Sequence, residues 1–231
     1  GGESFTIRDL MMHEQLSCRS RTELTFKLMG LIHYLHTDTS WTNRQGEIWD
    51  FPRLMEEEIR APINGVTCGG THRLMALSYS VRRRTRDGLP IEGVWEHARR
   101  HVASYQQLAF RLQNPDGSMS SNFFRKPGTW GDHERRLKTT GHTLEWLVFS
   151  LPHDQLANPR LLRMIDFLTN LLIQHRHYTW GKGPLGHSIR ALSLFEERVY
   201  GTRPGQRVYH TAGLEPKHRA PYDRGESSVR R

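Results

Sequence analysis

The sequence predicts an all-α domain built from repeated helical hairpins, and two observations lead to that prediction. Apolar residues recur at helical spacing in about seven segments, and no segment shows the alternation of a β-strand. A hexad with the pattern His-x-Leu/Ile-x-Ala/Trp-Leu also occurs three times, at His72–Leu77, His142–Leu147 and His187–Leu192. A recurring helical motif of this kind is typical of stacked hairpins.

The helices are expected along most of residues 1–201. Asp50, with Pro52 behind it, and the Asn158–Pro159 pair are typical helix starts, and Gly201 is a typical stop. The expected helices cover residues 19–36, 50–60, 70–84, 93–112, 142–151, a segment that starts at 158, and 185–200. Residues 113–138 are expected to form a long functional or mobile loop. Residues 202–231 are expected to form an extended or disordered basic tail.

The three hexads predict a shared site. A weaker copy at Phe26–Leu31 has Phe in place of His, and the copies are about 45 residues apart once the long loop is set aside. Alternating hairpins would place the motif helices in one layer, with His72, His142 and His187 near one end of it. Because a helix N-terminus lowers the pKa of a nearby His, the imidazoles are expected to be neutral.

Small residues and one carboxylate accompany the hexads. Gly70, Gly141 and Gly186 lie one or two positions before each His and are expected to permit close approach of the chain. Glu145 shares a helix face with His142, and a His/Glu pair suits general acid–base catalysis. The alternative for each His is packing, since repeated residues in solenoids often serve the fold alone.

One further stretch carries a resemblance to a known superfamily. Phe110–Met119 resembles the glutamine–tryptophan repeat of triterpene cyclases, with Met119 at the Trp position. Together with the hairpin period and the motif helices, it indicates an α/α toroid of the terpenoid cyclase and prenyltransferase superfamily. The stretches around Cys68–His72 and Thr140–Trp146 are similar to proteins of planctomycete-type bacteria. The resemblance covers about residues 20 to 200.

The resemblance implies an isoprenoid or carbohydrate ligand. Asp116 and Trp146 are predicted to contact that ligand. Asp116 also has a simpler interpretation, as part of an Asn-Pro-Asp-Gly turn. The acidic DxDD motif of triterpene cyclases is absent. The zinc ligands of protein prenyltransferases have no clear counterpart, although Cys68 and His72 are four residues apart, and no metal ligand is predicted. A complete toroid has more hairpins, so residues 1–201 are expected to be incomplete at the N-terminus.

Composition narrows the remaining classes of function. The formal charge is +9, but the basic residues are scattered, which favours a solvated surface over a nucleic-acid site. His97 and His101 are spaced for a metal, but they are expected on a solvated helix face. No apolar run is long enough for a membrane span. Cys18 and Cys68 provide no disulfide framework. The sequence assigns no cofactor, compartment or oligomeric state.

Two main hypotheses for function follow. The first is a catalytic or ligand-binding domain whose cavity is lined by His72, His142, Glu145 and His187. The alternative is a non-catalytic helical-repeat scaffold that binds another macromolecule on its rim. A basic nucleic-acid binder is a third and weaker hypothesis.

Overall fold

Eight α-helices form most of the computed structural model, which describes Gly2 and residues 4–201. They are α1 (Ile7–Leu16), α2 (Thr25–Tyr34), α3 (Phe51–Arg60), α4 (Thr71–Arg86), α5 (Val94–Arg111), α6 (His133–Ser150), α7 (Pro159–Gln174) and α8 (Lys182–Tyr200). Two 3₁₀ turns, Thr67–Gly70 and His153–Ala157, precede α4 and α7. The prediction of an all-α fold is confirmed for these residues.

The helices that carry the hexads lie side by side. Helix α2 packs against α4, α4 against α6, and α6 against α8. The intervening helices lie outside this row: α3 and α5 contact each other, and α7 packs on α6. This alternation is the arrangement that stacked hairpins predict, and it places the four copies of the motif in one layer.

The core lies between the two sets of helices and is made of large apolar side chains. Each contributes about 1.5–3 kcal/mol on burial. The largest of those that are fully buried are Trp49, Trp146, Phe51, Leu24, Leu28, Leu31, Ile32, Leu54, Met55, Leu74, Leu77 and Met119. The hexad leucines Leu31, Leu77 and Leu147 are all among the buried residues, so the repeat serves packing at these positions.

Several predicted helix ends are confirmed by their hydrogen bonds. Asp50 accepts a hydrogen bond from the Arg53 amide at 2.7 Å, and Asn158 accepts one from the Arg160 amide at 2.9 Å. Gly201 follows α8 with φ of 67°, the left-handed conformation typical of a C-terminal glycine.

Other boundaries differ from the sequence prediction. Helix α1 was not predicted, and α2 begins at Thr25 rather than residue 19. Helix α6 begins at His133, nine residues before His142, and Asp132 caps it by accepting the Arg135 amide at 2.9 Å. The first turn of α6 is polar, so it lacks the apolar periodicity on which the prediction depended.

A short β-hairpin precedes α3. Strands β1 (Ser40–Thr42) and β2 (Ile48–Asp50) pair antiparallel, with Trp41 opposite Trp49. Asn43 closes the loop by accepting hydrogen bonds from the Gln45 and Glu47 amides. Strands of three residues are too short to show alternation, which explains why the sequence did not reveal them.

Two further expectations concern the ends and the surface of the chain. The predicted tail, residues 202–231, lies outside the described residues. Among the residues that are described, no helix combines the length and the apolar character needed to cross a membrane.

Candidate functional site

The three hexad histidines form one cluster between α4, α6 and α8. The ring centroids of His142 and His187 are 3.7 Å apart, and those of His72 lie 5.6 Å from His142 and 5.3 Å from His187. Phe26, which replaces His in the weaker copy, lies 5.5 Å from His72. The prediction that equivalent positions of the repeat share one region is therefore confirmed.

The close approach of α6 and α8 depends on a glycine. A Cβ atom at Gly141 would lie 2.2 Å from the Ser188 hydroxyl and 3.1 Å from the Ser188 Cα. His142 and His187 are the chain neighbours of these two residues, so the helix contact that only glycine permits also brings their imidazoles together. Gly186 differs, because a Cβ atom there would meet nothing within 4 Å.

The turn before α4 places Cys68 beside the cluster. Cys68, Gly69 and Gly70 are all left-handed, with φ of 52°, 63° and 78°. The Thr71 hydroxyl donates to the Cys68 carbonyl at 2.9 Å and closes the turn. A left-handed cysteine costs roughly 1–2 kcal/mol, so the surrounding contacts must hold it in place.

The loop between α5 and α6 is packed against the cluster. Asn114 fixes the loop from within, since its amide nitrogen donates to Ser118 and to the Met119 carbonyl. Phe123, itself left-handed with φ of 54°, sits over Gly69, and its ring centroid lies 6.4 Å from that of His142. The long loop therefore forms an apolar wall of the site.

Hydrogen bonds set the protonated nitrogen of two imidazoles. His142 Nδ1 lies 2.8 Å from the Lys138 carbonyl and must donate to it. His187 Nδ1 lies 2.6 Å from Glu145 Oε2, which makes the carboxylate the acceptor. In the neutral rings, Nε2 therefore keeps its lone pair. Within the described residues, the His72 imidazole has no hydrogen-bond partner.

Burial lowers the pKa of two of the imidazoles, those of His72 and His142. Desolvation, followed by the proximity of His187, lowers the pKa of His142 to about 3. Desolvation also lowers the pKa of His72, again with His187 as the next cause. The helix N-terminus was expected to lower these pKa values, but only His72 lies in a first helical turn, so burial is the cause in the structure.

The predicted pairing of Glu145 is corrected by the structure. Glu145 was expected to work with His142 on the same helix, but its carboxylate binds His187 across the α6–α8 contact. It also lines a groove of about 450 Å³ next to the cluster. The other side chains of this groove are mostly apolar or aromatic, with His33 and Arg190 as the exceptions; the rest are Met29, Tyr34, Met75, Tyr79, Phe149 and Leu194.

Two predicted ligand-contacting residues lie elsewhere. Trp146 is fully buried, and its indole nitrogen donates to Ser78 at 3.1 Å, so it belongs to the core. Asp116 accepts hydrogen bonds from the Ser118 amide and hydroxyl and pairs with Arg136. Its cleft is lined by α6 and α7 residues rather than by the three histidines. The turn interpretation of Asp116 agrees with these contacts.

Cys68 also lies in the histidine cluster, although the sequence did not single it out as a candidate site residue. Its sulfur and one nitrogen each of His72 and His142 all lie within 4.8 Å of one another. The four-residue spacing from Cys68 to His72 was the only signal in the sequence. His142 is 70 positions from His72, so its membership in the group required the fold.

Comparison with known proteins finds no significant match for this chain. No protein-family model matches the chain, and no curated protein or solved structure is significantly similar to it.

Proposed function

We propose that this chain is a catalytic domain of the α/α toroid type, in which His187 and Glu145 perform acid–base chemistry on a ligand held in the adjoining groove. The observation that carries the proposal is the position of Glu145. Its carboxylate binds His187 Nδ1 at 2.6 Å and also lines the groove. Glu145 therefore lies where a ligand in the groove can contact it, and His187 is bonded directly to Glu145.

The chemistry of the pair suits a general base. Glu145 holds His187 in the tautomer that leaves Nε2 unprotonated, and it stabilises the imidazolium that forms when Nε2 takes a proton. His187 remains accessible, with 30% of its side chain exposed. His142, with its pKa of about 3, stays neutral at pH 7, so it adds no repulsive charge to that imidazolium.

The groove favours an isoprenoid over a carbohydrate. Thioether, aliphatic and aromatic groups from Met75, Phe149 and Leu194 dominate its wall, and a sugar would leave most of its hydroxyls unpaired against them. Arg190 contributes a cation that suits an anionic head group. A prenyl diphosphate combines both properties. The alternation of helices in two layers also supports a toroid-type architecture.

The test is a binding titration with farnesyl diphosphate and, separately, maltotriose, followed by calorimetry on the full chain. Farnesyl diphosphate is expected to bind, and Leu194→Ala is expected to weaken binding by about fivefold through lost apolar contact. Leu162→Ala, an exposed leucine on α7, is the matched control and should have no effect. Binding of maltotriose alone would replace the isoprenoid by a carbohydrate, and no binding of either would contradict the proposal.

The scaffold hypothesis remains the second candidate because of His142. This side chain is only 4% exposed and is bonded to a backbone carbonyl of its own helix, as expected for a packing residue. In that case the three histidines stabilise the α4–α6–α8 contact and have no ligand. Denaturant unfolding of the histidine variants separates the two candidates.

A further inference from the structure

We propose that Cys68, His72 and His142 bind one divalent transition-metal ion of the zinc class. The cluster supplies one sulfur and two nitrogen atoms, all within 4.8 Å of one another. It is the only group of three or more potential ligands so arranged among the residues that the structure describes. This proposal stands on the cysteine–histidine geometry and does not depend on a catalytic role for His187.

The donor set selects the metal. Thiolate and imidazole are the ligands that zinc and cobalt(II) prefer, whereas magnesium and calcium require oxygen. A tetrahedral zinc ion holds its ligand atoms roughly 3.3–3.8 Å apart, given bonds of about 2.0–2.3 Å. The three atoms exceed this separation by at most about 1–1.5 Å, a distance that side-chain rotations can cover.

Neighbouring groups prepare two of the ligands. Metal-binding histidines usually donate their second ring nitrogen to a carbonyl or carboxylate, and His142 does so to the Lys138 carbonyl at 2.8 Å. This contact fixes the ring and leaves Nε2 as the donor atom. His72 has no competing hydrogen-bond partner among the described residues, and its ring is held by contact with Phe26.

The turn that carries Cys68 also fits a ligand position. Three consecutive left-handed residues, Cys68 to Gly70, turn the chain into the start of α4. Phe123 packs over Gly69 and leaves no room for a side chain at that position. Of the three residues only Cys68 is strained, because glycine adopts a left-handed conformation freely, and such strain clusters at functional sites. Cys68 lines a second cleft, of about 490 Å³, which provides a path from solvent to the sulfur.

Three protein ligands leave one coordination position for water or substrate, as in catalytic zinc sites. His187 lies outside the three-atom group, but its ring is 3.7 Å from that of His142. A zinc ion held by Cys68, His72 and His142 would act as a Lewis acid and would lower the pKa of a bound water to about 7.

The test is a cobalt(II) titration of the full chain after metal has been removed with a chelator. One equivalent is expected to produce a sulfur-to-cobalt charge-transfer band and the strong visible bands of four-coordinate cobalt. One equivalent of zinc should then abolish both. Cys68→Ser should lose the charge-transfer band, and His72→Gln and His142→Gln should weaken zinc binding by roughly 100-fold or more.

Two matched controls identify adventitious binding. Cys18→Ser alters the other cysteine, which is buried and bonded to the Glu14 carbonyl, and should leave the cobalt spectrum unchanged. His133→Gln breaks a second histidine pair, whose rings lie 3.9 Å apart without a third described ligand, and should also have no effect. Far-ultraviolet circular dichroism verifies that each variant is folded.

The results that would overturn the metal site are equally specific. A cobalt complex without the charge-transfer band would exclude Cys68 as a ligand. Retention of the full spectrum by folded Cys68→Ser, or its loss in either control variant, would place the ion elsewhere. The absence of any stoichiometric binding would refute the proposal even if His187 and Glu145 prove catalytic.

Discussion

Arg73 and His72 are adjacent on α4 but belong to two different polar clusters. Arg73 is paired with a carboxylate, whereas the His72 imidazole has no hydrogen-bond partner among the described residues. Arg73 faces α3, where its Nε donates to Glu58 at 3.1 Å. Glu58 is fully buried and also accepts hydrogen bonds from the Leu24 amide and the Thr25 hydroxyl. Each charge in this cluster is compensated, and its hydrogen bonds join α2, α3 and α4.

His72 belongs to the second cluster, in which several ring nitrogens form no hydrogen bond within the described residues. Its own imidazole has no hydrogen-bond partner within the described residues, and His142 and His187 each use only Nδ1. The sulfur of Cys68 adds a further donor to the same space. Imidazole lone pairs and a thiol in the same space are donor atoms that a ligand can use. The comparison thus separates a polar cluster that serves the fold from one that is available for chemistry.

The largest expected effect comes from breaking the compensated cluster. Glu58→Gln removes the charge that balances Arg73 in a site where Arg73 is only 5% exposed. Leaving a buried charge without its partner typically costs about 3–5 kcal/mol. Chemical denaturation should therefore show a loss of this size in the free energy of unfolding.

A neighbouring glutamate supplies the control for this measurement. Glu56 pairs with Arg60 on the surface of α3, and Glu56→Gln should cost only about 0–1 kcal/mol. If Glu58→Gln were as mild as Glu56→Gln, the distinction between the two clusters would lose its basis.

The second prediction concerns how the histidine cluster is assembled. Gly141→Ala forces a Cβ atom against Ser188 and is expected to cost about 1–3 kcal/mol by overpacking. Gly186→Ala occupies the corresponding position before His187, but it meets nothing and should be neutral or stabilising by up to about 1 kcal/mol through helix propensity. Thermal unfolding of both variants measures the difference. Equal effects would show that the α6–α8 approach does not depend on Gly141.

The fold was predictable where periodicity and caps agree. The ends of α3, α5 and α8 follow from Asp50, from the apolar stripe after Gly93, and from Gly201. Helix α1 and the start of α6 were missed because the hydrophobic signal is weak there. Their N-caps, Thr6 and Asp132, are local hydrogen-bonding features that a search for apolar spacing does not detect.

The sequence repeat predicted only part of the candidate site, namely its three histidines. The repeat placed His72, His142 and His187 together, because equivalent positions in stacked hairpins face the same way. It could not pair Glu145 with His187 or bring in Cys68, since both contacts depend on the crossing of helices and on a left-handed turn. Nor could it show that Trp146 turns into the core, where Ser78 accepts its indole proton.

The smallest expected effect is that of His72→Gln, measured by denaturant unfolding with a chelator present. His72 forms no hydrogen bond within the described residues and is half-buried, so its replacement orphans no partner. The variant should remain within about 1 kcal/mol of the parent chain, and it can even be stabilised if the site is strained. Arg73→Met, one position along the same helix, strands Glu58 and should instead cost about 3–5 kcal/mol.

The same measurement on all three histidines decides between a site and a scaffold. A packing histidine whose loss leaves a buried polar group unpaired typically costs about 1–3 kcal/mol. His142→Gln and His187→Gln each remove one such contact, to Lys138 and Glu145, whereas His72→Gln removes none. The hydrogen bonds alone therefore predict unequal losses, with His72 the least, and the result that separates the two hypotheses is whether His72→Gln is neutral. A uniform loss of about 1–3 kcal/mol at all three positions would identify the cluster as packing and would withdraw the catalytic assignment.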